Sequence, residues 1–464
     1  MTAMSETKKA ALSGKYAAYP EYKDSGFEWL GDIPSHWILS DLKQYCSVRG
    51  GYAFPSEIFT TAGEPVIRIG DINPDGSISL KNCKYIPSII AQQNQSYLVQ
   101  KGELLMAMTG ATIGKAGFYT EERPAFVNQR VGLFKVSRAT LNYRFLWYIL
   151  KSSGYQEYIQ LTAFGGAQPN ISDTGMVAYK TTIPELQEQN QIAAFLDHET
   201  AKIDTLIEKQ QQLIELLKEK RQAVISHAVT KGLKPNAPMK DSGVEWLGEV
   251  PEHWECKKLK HIATMKTEKS NNSENVIALE NIESWSGKHI KTNSIFDGDG
   301  YSFSKNDILF NKLRPYLAKV FLCKTNGIAI GDLLVFEPHK NLNSKFAFYL
   351  MISPDFIKKV DSSTYGSKMP RASVDFIKEM PFLLPPAQEQ IDIATFIERV
   401  TDKFNQLEIK AKNAIELMQE RRTALISAAV TGKIDVRGFT LPSQENEITQ
   451  EYTAAYEPDL EPAL

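Results

Sequence analysis

The chain has 464 residues, 42% hydrophobic and 23% charged, with a formal net charge of −2; this is a soluble globular composition with room for about three average domains. No apolar run reaches the roughly 18 residues of a membrane span, and the opening MTAMSETKKAALSGKY has no apolar signal core, so a cytoplasmic protein is expected. Cys46, Cys83, Cys256 and Cys323 form no C-x-x-C, which argues against a zinc site and against a disulfide framework.

In chain order, residues 1–22 read as an N-terminal arm and residues 23–184 as a first mixed domain. The domain starts with KDSGFEWLGDIPSHW at Lys23–Trp37. Short strands rich in β-branched and aromatic residues follow, in Pro65–Ile72, Glu103–Met108 and Ala125–Val136, with a short helix around Tyr143–Ile149. After Pro184, a seven-residue register visits Ile192, Leu196, Glu199, Ile203, Leu206, Gln210, Leu213, Leu217, Lys220 and Val224, and the run ends near Gly232. Proline before and glycine after suit the two ends of one long helix, residues 185–232.

The same text then returns. KDSGVEWLGEVPEHW at Lys240–Trp254 is identical to the first motif at 11 of 15 positions, 217 residues on. A second mixed domain, residues 233–385, has strands in Asp307–Leu313 and Gly327–Pro338 and a helix around Phe346–Met351. Pro385 and Pro386 precede a second long helix, residues 386–433, with register Ile393, Ile397, Val400, Phe404, Leu407, Ala411, Ala414, Met418, Arg421 and Leu425, ending near Gly432. QEQNQIAAFL returns as QEQIDIATFI, and KRQAVISHAVT as RRTALISAAVT, both at an offset of 201 rather than 217. The ends of each half are alike and the fillings differ in length: one scaffold presents two surfaces, or a duplicated gene has let its loops drift. The tail 434–464 holds seven acids against Arg437 alone, a balance of −6 that leaves residues 1–433 at +4. Its Pro and Glu content reads as a flexible or partner-docking end rather than packed core.

Two helices of about 40 residues with matching stripes pair as a coiled coil, each spanning roughly 60 Å. The fold class expected is therefore α+β: two mixed α/β domains separated by a pair of long coiled-coil helices. Readers on one face of B-DNA meet the major groove about every 34 Å, so the architecture reads as a ruler with two heads.

At this point the sequence resembles the specificity subunits of type I restriction-modification enzymes over nearly its whole length. The resemblance is carried by WLGDIPSHW and WLGEVPEHW, by PELQEQ and PPAQEQ, and by RQAVISHAVT and RTALISAAVT. Inside the fillings it is carried by KGELLMAMTGATIGKAG and VNQRV, and by NDILFNKLRPYLAKV, GDLLVFEP and SKMPRAS. It implies a non-catalytic subunit that binds double-stranded DNA. Each target-recognition domain would read one half of an asymmetric bipartite site, and the helices, paired antiparallel, would set the spacer and dock two methyltransferase (modification) subunits. Restriction (motor-nuclease) subunits would join them, and S-adenosylmethionine, ATP and magnesium would belong to those partners. In keeping with this there is no N-P-P-Y-type motif, and Gly110–Lys115 followed by Ala116 lacks phosphate-loop spacing. The competing readings are a protein-only coiled-coil adaptor and a self-contained DNA enzyme with an unfamiliar site.

Base edges in the major groove are read by Arg, Lys, Asn and Gln, with Ser and Thr in support. In loops beside strands, the candidates are Arg49, Thr109, Lys115, Gln129, Arg130, Gln168 and Asn170 in the first domain. In the second they are Lys266, Asn311, Lys312, Arg314, Lys368 and Arg371. Each could instead meet a phosphate, which positions the protein without reading sequence. The cluster Lys257, Lys258, Lys260, Lys266 and Lys269 is a backbone-tracking candidate. His36-Trp37 and His253-Trp254 read as packed anchors, with no nearby cysteine or carboxylate arrangement that would make a metal site.

Overall fold

The computed structural model describes residues 16–137, 139–166, 168–270, 275–292 and 299–441. The chain divides into two compact units: unit 1 joins two stretches, Met1–Glu208 and Ile415–Leu464, and unit 2 is the one continuous stretch Lys209–Ala414. Among the described residues no helix is long and apolar enough to cross a membrane.

In unit 1 the strands β1 (Cys46–Gly50), β2 (Leu104–Ala107), β3 (Ala116–Phe118) and β4 (Val131–Val136) form an antiparallel sheet in the order β1-β4-β2-β3. Successive side chains on a strand face opposite ways, and β2 buries both faces. Leu104 and Met106 join a core with the helices, while Leu105 and Ala107 join a second core with Ile67, Val99 and Val127. That double burial is why ELLMAM reads as an unbroken apolar run. The other wall of the second core is a mixed sheet of Lys84–Ile86, Glu64–Ile67, Ala125–Val127 and Leu98–Val99, in that order.

Unit 2 repeats the plan. Strands β5 (Ala263–Lys266), β6 (Ile308–Asn311), β7 (Val320–Leu322) and β8 (Leu333–Pro338) take the matching order β5-β8-β6-β7. Ile308 and Phe310 enter one core and Leu309 the other. The apolar runs Ala125–Val136 and Gly327–Pro338 are not single strands. Each splits into two, Ala125–Val127 and β4 in one case, Gly327–Ala329 and β8 in the other, and the halves belong to different sheets. The turns between them do the splitting, with Asn128 bonded to the Gln129 N–H at 2.6 Å and Gly331 at φ 78°. The predicted short helices stand at Tyr143–Lys151 and Ser344–Met351.

The long helices are α1 (Leu186–Lys231, 46 residues) and α2 (Ala387–Val430, 44 residues). They run antiparallel: Asp204 meets Arg422 at 2.8 Å, and further along α1 Arg221 meets Asn405, earlier in α2, at 3.1 Å. Both stop at the expected glycines, Gly232 (φ 78°) and Gly432 (φ 73°). A Cβ at Gly432 would lie 2.3 Å from the Pro34 ring, so only glycine fits this left-handed cap against the WLGDIPSHW segment.

The seam differs from the predicted register at alternate positions. Ile207, Ile214 and Arg221 are wholly or partly covered, whereas Leu206 (45% exposed), Leu213 (41%) and Lys220 face outward. In α2, Glu408 and Arg422 stand inward of Leu407 and Arg421. The apolar residues misled the register because several packing positions are polar and partnered: Arg422 with Asp204, Arg221 with Asn405, and Glu408 with Lys412 at 2.7 Å.

The tail also departs from expectation. Ile434 and Val436 are 3% exposed in the unit 1 core, and Phe439 packs edge-on to Phe195 at 5.2 Å. The Asp435 N–H donates to Ala17 O at 2.7 Å, and the Arg437 guanidinium lies 4.9 Å from the centre of the Tyr19 ring. Three apolar residues in six are enough to anchor its first turn, and residues 442–464 lie outside the described residues.

One partly buried position makes a pH prediction. Burial and the nearby Arg422 charge pull the Lys151 ammonium down to about 8, and its Nζ donates to Pro74 O at 2.9 Å. The matching residue of unit 2, at an offset of 201, is Ile352, 1% exposed. Folded Lys151 releases its proton near pH 8, whereas the unfolded side chain holds it to about 10.4. Stability therefore rises with pH across that window. Lys151→Ile should stabilise unit 1 by about 2 kcal/mol at pH 7 and by much less at pH 10. Denaturation midpoints at the two pH values check this; an equal gain at both would contradict it.

Candidate nucleic-acid interface

The loops that hold most of the candidate residues are tied together by backbone hydrogen bonds. In unit 1 the strand β2 runs on into Met108–Gly110. The Met108 N–H donates to Arg130 O (2.9 Å), the Ile171 N–H to Met108 O (3.1 Å), and the Gly110 N–H to Pro169 O (2.9 Å). The Ala107 N–H donates to Lys115 O at 2.8 Å, and Phe164 and Asn170 exchange both backbone bonds. Three separate loops, 108–115, 128–130 and 164–170, thus converge on one short segment.

Unit 2 builds the same frame bond for bond. The Lys312 N–H donates to Asp332 O (3.1 Å), the Ala372 N–H to Lys312 O (2.9 Å), and the Arg314 N–H to Pro370 O (2.7 Å). The Asn311 N–H donates to Lys319 O at 3.1 Å, and Tyr365 and Arg371 exchange both bonds. The pattern pairs positions across the units: Met108 with Lys312, Gly110 with Arg314, Arg130 with Asp332, Phe164 with Tyr365, and Asn170 with Arg371. The backbone is shared and the side chains are not.

The predicted readers divide accordingly. Thr109, Lys115, Arg130, Gln168 and Asn170 come together in the first frame, with Gln129 beside them. Gln129, Arg130 and Gln168 are exposed, but Thr109 is 2% exposed and its hydroxyl is buried without a partner. Arg49 stays on β1, where its guanidinium donates to Ser96 O at 2.8 Å. In the second frame Lys312, Arg314, Lys368 and Arg371 come together. Arg314 is held at φ 50° and its Nη2 donates to Lys368 O at 3.4 Å.

Two candidates are engaged elsewhere. Asn311 is 2% exposed; its amide donates to Leu313 O and accepts the Leu313 N–H, so it shapes the loop. Lys266 is held by the buried Asp307 at 2.7 Å and by Ser304 at 3.2 Å. Three more lysines of the wider cluster also have acidic partners. Lys258 and Lys260 share Glu379, whose carboxyl their hydrogen bonds lower to about 2, and Lys257 pairs with Glu255 at 2.6 Å.

Sequence reasoning missed Asp332. It accepts from Arg371 Nε at 3.2 Å and from Nη2 at 3.0 Å, with Lys312 Nζ at 3.6 Å. The hydrogen bond and charge of Asp332 raise the Arg371 pKa further. An acid set among basic loops was the available signal. Also exposed on the frames are two aromatics that sequence reasoning did not single out, Phe164 (62%) and its counterpart Tyr365 (66%).

Away from the loops, the repeated motifs meet at the start of each long helix. His36 Nε2 lies 2.9 Å from Glu188, and His253 Nε2 lies 2.7 Å from Glu389, so each histidine does have a carboxylate, supplied by the distant QEQ segment. Trp37 and Trp254 are at most 1% exposed, as anchors should be. Gln189 and Gln390, fully buried, lock the start of each long helix. Gln189 Nε2 donates to Thr140 O and Pro184 O, both at 2.9 Å, while its Oε1 accepts the Asn142 N–H at 2.8 Å.

Comparison with known proteins fits this doubled build. The model of the type I restriction modification DNA specificity domain matches residues 34–216 and 251–417, one stretch for each half. The putative type I restriction enzyme MjaX specificity subunit of Methanocaldococcus jannaschii is 25% identical over 90% of this chain and 98% of its own. The type I restriction enzyme EcoDI specificity subunit of Escherichia coli is 22% identical over 69% of this chain and 77% of its own. A structure solved in work on complex assembly and conformational transition of the type I R-M system has a TM-score of 0.60 at 13% identity. It covers 86% of this chain and 98% of that one, a likeness of fold. The chain therefore belongs to the type I restriction modification DNA specificity family.

Proposed function

We propose that this chain is the non-catalytic DNA-specificity subunit of a type I restriction-modification complex. Each loop frame reads one half of an asymmetric, interrupted DNA site. The helix pair sets the spacer and docks two methyltransferase subunits, to which restriction subunits add. S-adenosylmethionine, ATP and magnesium act in those partners. The observation that carries the reading is the pair of frames with matching backbone bonds and different side chains. A shared frame gives both halves the same approach to duplex DNA, while Asn170 against Arg371, or Arg130 against Asp332, gives them different base preferences.

The spacer role is tested by lengthening both helices together, with one heptad inserted after Ile214 and one after Ala411, both on the seam in unit 2. Seven residues add about 10 Å of helix, and DNA rises about 3.4 Å per base pair. The methylated motif of the assembled complex should keep both half-sites and gain roughly two to four base pairs of spacer. An unchanged spacer in a complex that still methylates would refute the role of the helices.

A further inference from the structure

We propose that Asp332 is a positioning residue that sets Arg371 to read a guanine in the half-site of unit 2. The inference rests on the DNA-reading function above and assigns one base contact within it.

Arg371 and Asp332 come from different loops that the frame brings together through the Lys312 backbone, whose N–H and C=O are bonded to Asp332 and Ala372. The carboxylate takes the Nε and Nη2 side of the guanidinium, at 3.2 and 3.0 Å. No described residue takes Nη1, and the Arg371 side chain is 42% exposed. The outer edge of the fork is therefore free while its inner edge is fixed. Two parallel N–H donors on a planar fork match the N7 and O6 acceptors of guanine in the major groove, and no other base presents that pair. Fixing a long side chain before binding removes part of the ordering cost that would otherwise fall on the complex.

Asp332 is poorly placed to be the reader itself. Arg371 engages both its oxygens, and Lys312 Nζ stands 3.6 Å away, so its charge is neutralised on a face that must approach phosphates. Unit 1 lacks the couple altogether. Arg130 stands at the Asp332 position, Asn170 at that of Arg371 and Met108 at that of Lys312, so the two half-sites should differ at this base.

The test uses the full chain assembled with its methyltransferase subunits, and reads the motif methylated in a randomised DNA library. A wild-type complex that methylates no interrupted motif would defeat the functional reading and not this assignment alone. Given such a motif, Arg371→Ala should erase the preference for one guanine in one half-site, at least about tenfold. Asp332→Asn should weaken preference at that same guanine and leave the spacer and the other half-site intact. If either variant methylates too little to score, competition between the wild-type site and single-base variants reads the same discrimination by binding. An unchanged motif, or a loss equal across all sequences as for a phosphate contact, overturns the assignment.

Discussion

Replacing Trp254 by alanine is expected to cost unit 2 about 3–5 kcal/mol, enough to unfold a marginally stable unit. The indole is 1% exposed, lies edge-on to Phe346 with ring centres 6.4 Å apart, and closes over the end of α1, where a Cβ on Gly232 would come within 3.3 Å of it. Its Nε1 is buried without a hydrogen-bond partner, so the loss is one of packing and cavity rather than of a polar contact. Hydrogen exchange at buried strand amides such as Leu309 and Phe336 should report it directly, through lost protection. Protection reduced by less than the equivalent of about 1 kcal/mol would mean that the site collapses around the deletion.

Gln390→Leu keeps the volume and should still cost about 3 kcal/mol. The Gln390 amide donates to Asn341 O (3.0 Å) and Pro385 O (2.8 Å) and accepts the Asn343 N–H (2.7 Å), in a site where the side chain is 1% exposed. Leucine would leave the buried Pro385 O with no partner, a penalty of about 1–3 kcal/mol, and would strip the partly buried Asn341 O and Asn343 N–H of theirs at a smaller cost that water partly relieves. Denaturant unfolding of the variant checks this. A cost below about 0.5 kcal/mol would show that the second Gln of QEQ is not what fixes the helix start.

These two residues show what could be read from the chain. Trp254 and Gln390 belong to motifs written twice, and repetition marked them before any contact was known. The helix ends were legible because proline and glycine act through their own backbones, as the left-handed Gly232 and Gly432 confirm. Partnerships over long sequence distances were not legible. His36 finds Glu188 and Lys266 finds Asp307 only once sheets and helices have packed, so neither partnership could be read from the chain. Asp332 was not legible because base-reading chemistry lies in cations and amides, and its pairing with Arg371 joins loops 39 residues apart.

The helix seam carries a related lesson. Leu206 and Leu213 fit a heptad by type yet lie on the outside, while Arg221 and Glu408 are partly covered because each has a polar neighbour to meet. Hydrophobicity locates a stripe to within a residue or so. The polar pairs settle its register.

The central claim is that this chain specifies a split DNA site with two unlike halves. The most direct measurement is adenine methylation mapped across the host genome with and without this gene, with the methyltransferase subunits expressed in both. The account predicts an interrupted, non-palindromic motif that disappears when the gene is removed. A methylation pattern that is the same with and without the gene would contradict it, as would a gene-dependent motif that is continuous or palindromic.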